Sequence, residues 1–410
     1  MPEAVIVATA RSPIGRAMKG SLKDLRPDDL TATIIRAALD KVPALDPADI
    51  DDLMLGCGLP GGEQGFNLAR IVAVLLGYDH VPGVTLTRYC SSSLQTTRMA
   101  LHAIKAGEGD VFISAGVEMV SSFVKGNSDS LPDTRNPLFA DATDRTRAVA
   151  ERGAESWTDP RAEGWLPDAY IAMGQTAENL ALAEDVSRED MDVFGVRSQN
   201  LAEKAIANGF WEREITPVAT PDGSVVSTDD GPRAGVTLEA VRELKPVFRP
   251  NGRVTAGNCC PLNDGAAAVI VMSDAKAAAL GLTPLARIVS TGVTGLSPEI
   301  MGLGPVEASK QALARAGMSI HDMDLIEINE AFAAQVIPSY RKLGLSDEQA
   351  GAKLNVHGGA IAIGHPFGMT GARITGTLLN GLQTRDATFG LETMCVGGGQ
   401  GMAMVIERLS

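Results

Sequence analysis

The sequence lacks the features that would place it in several broad classes of protein. Aromatic residues make up only 4% of the 410 residues. No stretch of about 18 uncharged apolar residues occurs, so we expect no membrane-spanning helix. Basic residues number 36 against 50 acidic ones, which gives a formal net charge of −14. A chain this acidic is a poor partner for nucleic acid or for an anionic membrane surface, so we expect neither.

Cysteine is also rare. The five cysteines are scattered and odd in number, which does not predict a disulfide framework. No CxxC pair or Cys/His cluster predicts a metal site. The first residues, MPEAVIVATARSP, contain no basic segment followed by a long apolar run, so we predict no signal peptide. Together these features indicate a reduced protein of the cytoplasm.

Two parts of the chain repeat the same order of predicted elements. Each begins with a strand, continues with a helix, and ends with an acidic turn that leads into a second strand. The three elements are Ala4–Thr9, Leu30–Leu39 and Leu53–Leu55 in the first part, and Ala286–Ser290, Ala308–Ala316 and Leu325–Ile328 in the second. Strands that alternate with helices predict a mostly parallel sheet covered on both faces. We therefore predict a duplicated α/β core, with one half at residues 1–120 and the other at 265–410.

The strand rhythm stops between the two halves, in residues 121–264. This segment holds all three tryptophans, Trp157, Trp165 and Trp211, and its loop-like tracts are rich in Asp, Pro and Arg. Two amphipathic helices are predicted within it, near Gly174–Leu182 and Arg188–Asn208. Because the rhythm later resumes, the segment is interpreted as an inserted domain or lid. A third, unrelated domain is the alternative.

Cys90 is the first candidate for a reactive group. It directly precedes a predicted helix, Ser91–Ile104, in the stretch RYCSSSLQTTRMALHAI. The unpaired N–H groups and the dipole of a helix N-terminus favour a thiolate, so this position predicts a lowered thiol pKa. The alternative is an unreactive cysteine, since most cysteines pack as small hydrophobic residues.

Three further candidates follow in the second half. His365, in NVHGGAIAIGHPFGMTGAR, lies just before a helix and is placed to act as a base on a thiol. Cys395, in MCVGGGQG, lies at a strand end beside exposed backbone N–H groups, which suits an acid/base thiol next to an oxyanion site. Asn329, in INEAFAAQ, ends an apolar strand, and a helix cap is its alternative role.

The segments YCSSS, NEAFA, GGAIAIGHPFGMTGAR and CVGGGQGMA, in this order, resemble the thiolases over nearly the whole chain. The resemblance implies an α/β fold with two similar βαβαβαββ halves in five layers (αβαβα) and a loop domain inserted into the first half. It also implies an acyltransferase that interconverts acyl-CoA plus acetyl-CoA with 3-ketoacyl-CoA plus CoA through an acyl-cysteine. A homodimer or homotetramer is implied, with coenzyme A as a substrate and no permanently bound cofactor or metal.

The resemblance also implies roles for individual residues. Cys90 matches the acyl-accepting thiol, His365 the base that activates it, and Cys395 the thiol that exchanges a proton with the α-carbon. Asn329 matches the residue that holds a water in one oxyanion hole, which it shares with His365. The N–H groups of Cys90 and Gly397 match the second oxyanion hole.

Several positions depart from the pattern of the family or carry weaker matches. His357 stands where many members have asparagine, and it is predicted to lie close to the site. Cys260 stands where many members have a serine that contacts the pantetheine of CoA. Met173 matches a CoA contact, although Ala172 replaces its usual histidine neighbour, and Arg233 matches a basic CoA contact.

Two other functions and the choice of substrate stay open at this stage. A decarboxylating ketoacyl synthase has a related architecture, but Cys395 in place of a second histidine argues against it. A non-catalytic acyl-CoA-binding protein is the other alternative. The inserted segment predicts a preference for medium, long or bulky acyl groups, and four of its residues are candidates to line the acyl site: Leu138, Phe139, Trp157 and Trp165.

Overall fold

The computed structural model describes residues 2–129 and 134–410. The strands in these two ranges are β1 Ala4–Arg11, β2 Gly15–Arg16, β3 Asp52–Cys57, β4 Gly83–Leu86, β5 Val111–Met119, β6 Val218–Ala219, β7 Val225–Val226, β8 Asn263–Ser273, β9 Ala286–Gly295, β10 Leu325–Ile328, β11 Phe389–Val396 and β12 Gln400–Arg408. The helices are α1 Pro27–Leu39, α2 Leu68–Leu75, α3 Ser92–Ala106, α4 Ala140–Arg152, α5 Met173–Ala183, α6 Arg188–Ala207, α7 Leu238–Arg242, α8 Asp274–Ala279, α9 Gly304–Ala316, α10 Ala333–Lys342, α11 Asp347–Lys353, α12 Ala360–Ile363 and α13 Thr370–Arg385.

One large sheet carries the fold, with strand order β10-β11-β12-β9-β1-β8-β5-β3-β4, and β2 pairs with β8 beside this path. Strand β3 runs parallel to β4 and β5, and β10 runs parallel to β11. The other pairings of this sheet in the described ranges are antiparallel. The prediction of a mostly parallel sheet is therefore wrong. In the second half β12 returns beside β11 with no helix between them, and in the first half β8 returns beside β5 after the inserted segment. The apolar pattern of a buried strand does not reveal its direction.

The predicted duplication is visible in the strand pairing. In the first half β3 is parallel to β5, and two antiparallel steps lead through β8 to β1. In the second half β10 is parallel to β11, and two antiparallel steps lead through β12 to β9. The halves are joined where β1 meets β9, at Val5 opposite Arg287 and Ile6 opposite Ala286.

Alternating side chains of the strands pack into three cores, which define five layers. On β12, Met402, Met404 and Ile406 join helices α3 and α13 in the central core, whereas Ala403 and Val405 face α9 and α10. On the first half the outward-facing strand residues pack against α1 and α2. Because successive side chains of a strand point to opposite faces, each sheet half is covered by helices on both sides. The order of layers is helix, sheet, helix, sheet, helix.

The inserted segment contains both predicted amphipathic helices. They are α5 and α6, and α6 is preceded by Ser187, whose side chain accepts a hydrogen bond from the N–H of Asp190 as the N-cap. The predicted boundary at residue 264 falls inside strand β8. This strand pairs with β1 and β5 and so completes the sheet of the first half. Within the residues that the structure describes, no helix is long and apolar enough to cross a membrane.

Candidate active site

Cys90 lies in a strained turn immediately before helix α3. The preceding residue, Tyr89, has a φ of 45°, a left-handed conformation that costs a non-glycine residue about 1–3 kcal/mol. The hydroxyl of Ser92 holds the turn: it accepts from the N–H of Arg88 at 2.9 Å and donates to the carbonyl of Tyr89 at 2.6 Å. The turn presents the Cys90 thiol to a cleft of about 310 Å³.

Two backbone N–H groups lie close enough to the sulfur of Cys90 to lower its pKa. One belongs to Gly397, which follows β11 at the far end of the chain, and the other is the N–H of Cys90 itself. A Cβ at Gly397 would lie 3.2 Å from the ring of Tyr89, so glycine allows the two segments to approach closely. Donors that converge on one point in this way suit an oxygen that carries developing negative charge.

His365 and Asn329 lie next to each other in the protein interior, and both are buried. Asn329 Nδ2 is 3.3 Å from His365 Nε2, and the hydroxyl of Thr370 is 2.6 Å from His365 Nδ1. The backbone N–H of His365 donates to the side chain of Asn263 at 3.0 Å. Asn329 Oδ1 is buried without a hydrogen-bond partner among the described residues, so it can still accept one hydrogen bond.

Three thiols, those of Cys90, Cys260 and Cys395, lie close to one another. Cys395 is buried in β11. Burial raises the pKa of its thiol, and a charge on Cys90 raises it further. Cys260 is half-buried, and its pKa is raised by burial first and then by charges on Cys259, Cys90 and Cys395. The fold therefore brings together Cys90, Cys260 and Cys395, which lie on three separate segments of the chain. His365 is linked to the cleft through Phe367, a wall residue whose ring it meets edge-on.

The electrostatics of the site differ from the sequence-based expectation at Cys90. The helix N-terminus predicts a lowered pKa, but burial raises the pKa of the Cys90 thiol to about 12, against the smaller opposing effect of the Gly397 N–H. Burial, and then the positive charge of Arg373, lowers the pKa of His365 to about 3. At neutral pH the resting pair is therefore a neutral thiol and a neutral imidazole, and the thiol needs a base at the moment of reaction.

The family follows from comparison with known proteins. A model of the thiolase N-terminal domain matches residues 4–275, and a model of the thiolase C-terminal domain matches residues 282–408. The chain belongs to the thiolase family. The predicted thiolase-like α/β fold and the predicted acyltransferase activity are thereby confirmed.

Individual relatives agree with this assignment along the full length of the thiolase chain. A 3-ketoacyl-CoA thiolase of Saccharophagus degradans is 43% identical over 413 residues, which cover 99% of this chain and 98% of the relative. The 3-oxoadipyl-CoA/3-oxo-5,6-dehydrosuberyl-CoA thiolase of Escherichia coli is 45% identical, with 100% of both chains covered. The crystal structure of the Bacillus anthracis acetyl-CoA acetyltransferase is similar with a TM-score of 0.84 at 37% identity, over 100% of this chain and 99% of that one.

Glu118 is a residue of the thiolase site that the sequence analysis missed. It is fully buried at the end of β5 and accepts from the backbone N–H groups of Gly58 at 2.6 Å, Leu59 at 3.1 Å and Gly368 at 2.8 Å. These contacts tie the end of β3 to the Gly-His-Pro segment that carries His365. Burial raises the pKa of Glu118 to about 7 despite the three donors. No local sequence motif marks this role, because its partners lie on two distant segments.

The cleft of the thiolase has walls from both the core and the inserted segment. The wall residues Leu59, Tyr170, Ile171, Met173 and Phe367 give it an apolar surface, and Asp129 and Arg135 add charge. Met173, a predicted CoA contact, thus lies in the cleft with Cys90. Arg233 is exposed outside this cleft, and its backbone N–H donates to Gln199. Its role as a CoA contact stays a prediction.

The predicted acyl-lining residues do not form the wall of this cleft. Leu138 is exposed, and Phe139 packs edge-on against Tyr170, so it supports the wall from outside. Trp157 and Trp165 line a neighbouring depression, where Trp157 donates to Glu299 and Arg145 lies over the ring of Trp165. An aromatic residue in the inserted segment does not by itself indicate the acyl site, because Trp157 is held by Glu299 and Trp165 lies against Arg145, both outside the cleft.

His357 is also placed differently from the prediction. Its ring stacks on Phe210 with the ring centres 3.6 Å apart, and it packs near Gly381 of α13. Burial, and then the charges of Arg385 and Arg213, lowers the pKa of His357 to about 4. The side chain packs between Phe210 and α13, and it is not part of the cluster around Cys90.

Proposed function

We propose that this thiolase cleaves 3-ketoacyl-CoA with CoA, or forms it in reverse, through an acyl group on Cys90. The two N–H groups that converge on the Cys90 sulfur at the end of the cleft are the observation that carries the proposal. A thioester bond to Cys90 would place the acyl oxygen next to these donors. Catalytic groups for both half-reactions are then available from His365, Asn329 and Cys395.

In the first half-reaction His365 Nε2 accepts the proton of the Cys90 thiol, and the sulfur adds to the keto carbon of the substrate. The N–H groups of Cys90 and Gly397 stabilise the negative oxygen that forms. The bond between C2 and C3 then breaks. Its electron pair stays with the two-carbon fragment as the enolate of acetyl-CoA, and its oxygen lies near Asn329 and His365. Cys395 donates a proton to C2, and acetyl-CoA leaves.

In the second half-reaction the acyl group moves from Cys90 to CoA. The Cys395 thiolate accepts the proton of the CoA thiol, and the CoA sulfur adds to the acyl carbon. The C–S bond to Cys90 breaks, and the Cys90 sulfur recovers its proton from His365. The protein groups return to their starting protonation states, and the net result is transfer of the CoA thiol proton to C2 of acetyl-CoA. Two acid/base groups take part because one, His365, serves the Cys90 thiol, and the other, Cys395, serves C2 and the CoA thiol.

The substrate is proposed to be a 3-ketoacyl-CoA with an acyl group longer than acetoacetyl. The apolar wall formed by Leu59, Ile171, Met173 and Phe367 supports this, since each buried methylene adds about 0.8 kcal/mol to binding. The names of the relatives from Saccharophagus degradans and Escherichia coli agree with such a substrate. Coenzyme A and acetyl-CoA are the proposed partners, and the cytoplasm is the proposed location.

Turnover of 3-ketoacyl-CoA esters of graded length, measured in both directions, tests this choice. We expect medium-length substrates to be turned over faster than acetoacetyl-CoA. Leu59→Trp should narrow the cleft and lower turnover of the longer substrates by about tenfold, while acetoacetyl-CoA changes by less than about threefold. Leu138→Trp, at an exposed position of the inserted segment, is the matched control. A wild-type preference of about tenfold for acetoacetyl-CoA would contradict the proposal.

The neighbouring condensing-enzyme function, a decarboxylating ketoacyl synthase, is not favoured by the comparisons. Cys395 occupies the position where such an enzyme would need a second histidine. A non-catalytic acyl-CoA-binding protein would have no use for Cys90, His365 and Cys395 around one cleft. We keep the division into a first core half, an inserted segment and a second core half as a proposal, with β8 assigned to the first half because of its pairing.

We also propose that the protein forms a homodimer or homotetramer. Strand β4 lies at an open edge of the large sheet. Phe66 is 92% exposed, and the next residue, Asn67, donates to the carbonyl of Gly83 on β4 at 2.8 Å. An open strand edge and an exposed aromatic side chain both favour association with a second copy. Light scattering at micromolar concentration should give at least twice the chain mass of 42.8 kDa. A stable monomer would contradict the proposal.

A further inference from the structure

One ring nitrogen of His365 has a short contact of its own. Nδ1 lies 2.6 Å from the hydroxyl oxygen of Thr370, whereas Asn329 Nδ2 lies 3.3 Å from Nε2 and 3.5 Å from Nδ1. His365 is 1% exposed and Thr370 is fully buried, so bulk water does not compete for either contact. Thr370 is the first residue of α13, five residues after His365.

The hydroxyl of Thr370 has a second close neighbour, the carbonyl oxygen of Pro366 at 2.7 Å. A carbonyl oxygen can only accept, so the single hydrogen of the hydroxyl belongs to this contact. Donation from a threonine to the carbonyl four residues earlier is a common arrangement in helices. The opposite arrangement would leave two oxygens 2.7 Å apart with no hydrogen between them.

The Thr370 oxygen can then only accept a hydrogen bond from His365. The hydrogen of the neutral imidazole must therefore be on Nδ1, and the lone pair must be on Nε2. Asn329 Nδ2 lies 3.3 Å from Nε2 and 3.5 Å from Nδ1, so it is nearly equidistant from the two ring nitrogens and does not select between them. The Thr370 contact alone therefore sets the tautomer.

We propose that Thr370 is a positioning residue that fixes the Nδ1–H tautomer of His365 and so leaves Nε2 as the basic nitrogen of the site. The inference rests on the proposed role of His365 as the base for Cys90. When Nε2 accepts the proton of the thiol, the ring becomes positively charged. The Thr370 oxygen continues to accept from Nδ1–H and stabilises that charge without any movement of the side chain.

Two substitutions at Thr370 separate the hydroxyl from the shape of the side chain. Thr370→Val keeps the branched shape and removes the acceptor, so the rate of Cys90 acylation should fall about 10–100-fold while KM changes less than about threefold. Thr370→Ser restores the hydroxyl and should remain within about threefold of the wild type. Thr31→Val is the matched control, because Thr31 is also buried and donates to a proline carbonyl four residues earlier, at 2.6 Å on α1.

The tautomer is measured directly by NMR of protein labelled with ¹⁵N at histidine, with the His365 signals identified by their loss in His365→Asn. The wild type should show a protonated Nδ1 and an unprotonated Nε2, and Thr370→Val should lose this pattern. An Nε2–H tautomer in the wild type, or full activity of Thr370→Val, would overturn the role of Thr370. Full acylation of Cys90 in His365→Asn would instead overturn the proposed base itself, so the two failures are distinguishable.

Discussion

Cys90→Ala is expected to abolish cleavage of 3-ketoacyl-CoA, with a loss of turnover of about 10³–10⁶-fold. Removal of a nucleophile that works as a unit with its base has an effect of this size, because binding and oxyanion stabilisation are all that remain. The buried turn before α3 should tolerate the change, since the hydroxyl of Ser92 holds the turn and alanine leaves it in place. Steady-state thiolysis with a medium-length 3-ketoacyl-CoA measures the loss.

Cys259→Ala is the matched control for this substitution. Cys259 is also a free cysteine near the site, and it is half-buried beside Cys260. Its loss should change turnover by less than about threefold, because no step is assigned to it. If Cys90→Ala kept more than about a tenth of wild-type turnover, the acyl group would have to be carried by another residue.

Cys395→Ala is expected to lower cleavage and formation of the C–C bond by about 10²–10⁴-fold, the range for a positioned acid/base group. Transfer of an acetyl group between acetyl-CoA and isotopically labelled CoA should be affected much less. That exchange forms no enolate and uses Cys395 only to move the proton of the CoA thiol. A thiol is far more acidic than an α-carbon, so water can replace Cys395 in that transfer. The two cysteines should therefore be separable by the reaction that each variant loses.

Deuterium exchange at the α-carbon of acetyl-CoA isolates the step assigned to Cys395. The exchange should be nearly lost in Cys395→Ala and retained in Cys57→Ala, which also removes a buried thiol from a strand of the large sheet. Exchange at the wild-type rate in Cys395→Ala would contradict the assignment. It would show that another group near the α-carbon acts as the acid and base.

Much of the element order could be predicted from the sequence, because strands and helices of this core have clear apolar periodicities. The predicted strand Leu325–Ile328 has the observed bounds of β10, and α9 ends at the predicted Ala316. Strand direction could not be predicted. The residues of β8 and β12 are buried along nearly their whole length, as in a parallel strand, but both pair antiparallel with their neighbours.

The site was predictable where a residue lies in a motif and unpredictable where its role depends on distant contacts. Glycine-rich motifs led to His365, Cys395 and Gly397, and the structure brings Cys395 and Gly397 to Cys90. Glu118 could not be found because its three N–H partners come from other segments. The pKa of Cys90 was predicted in the wrong direction, since the sequence reveals a helix N-terminus but not the burial that outweighs it.

The central claim is that Cys90 carries the acyl group between the two half-reactions. The most direct test mixes the enzyme with a 3-ketoacyl-CoA in the absence of free CoA, quenches with acid, and maps the acyl group by peptide mass analysis. The account predicts one acyl group on the peptide that contains Cys90, with release of one acetyl-CoA. An acyl group on Cys260 or Cys395, or acylation that persists in Cys90→Ala, would contradict it.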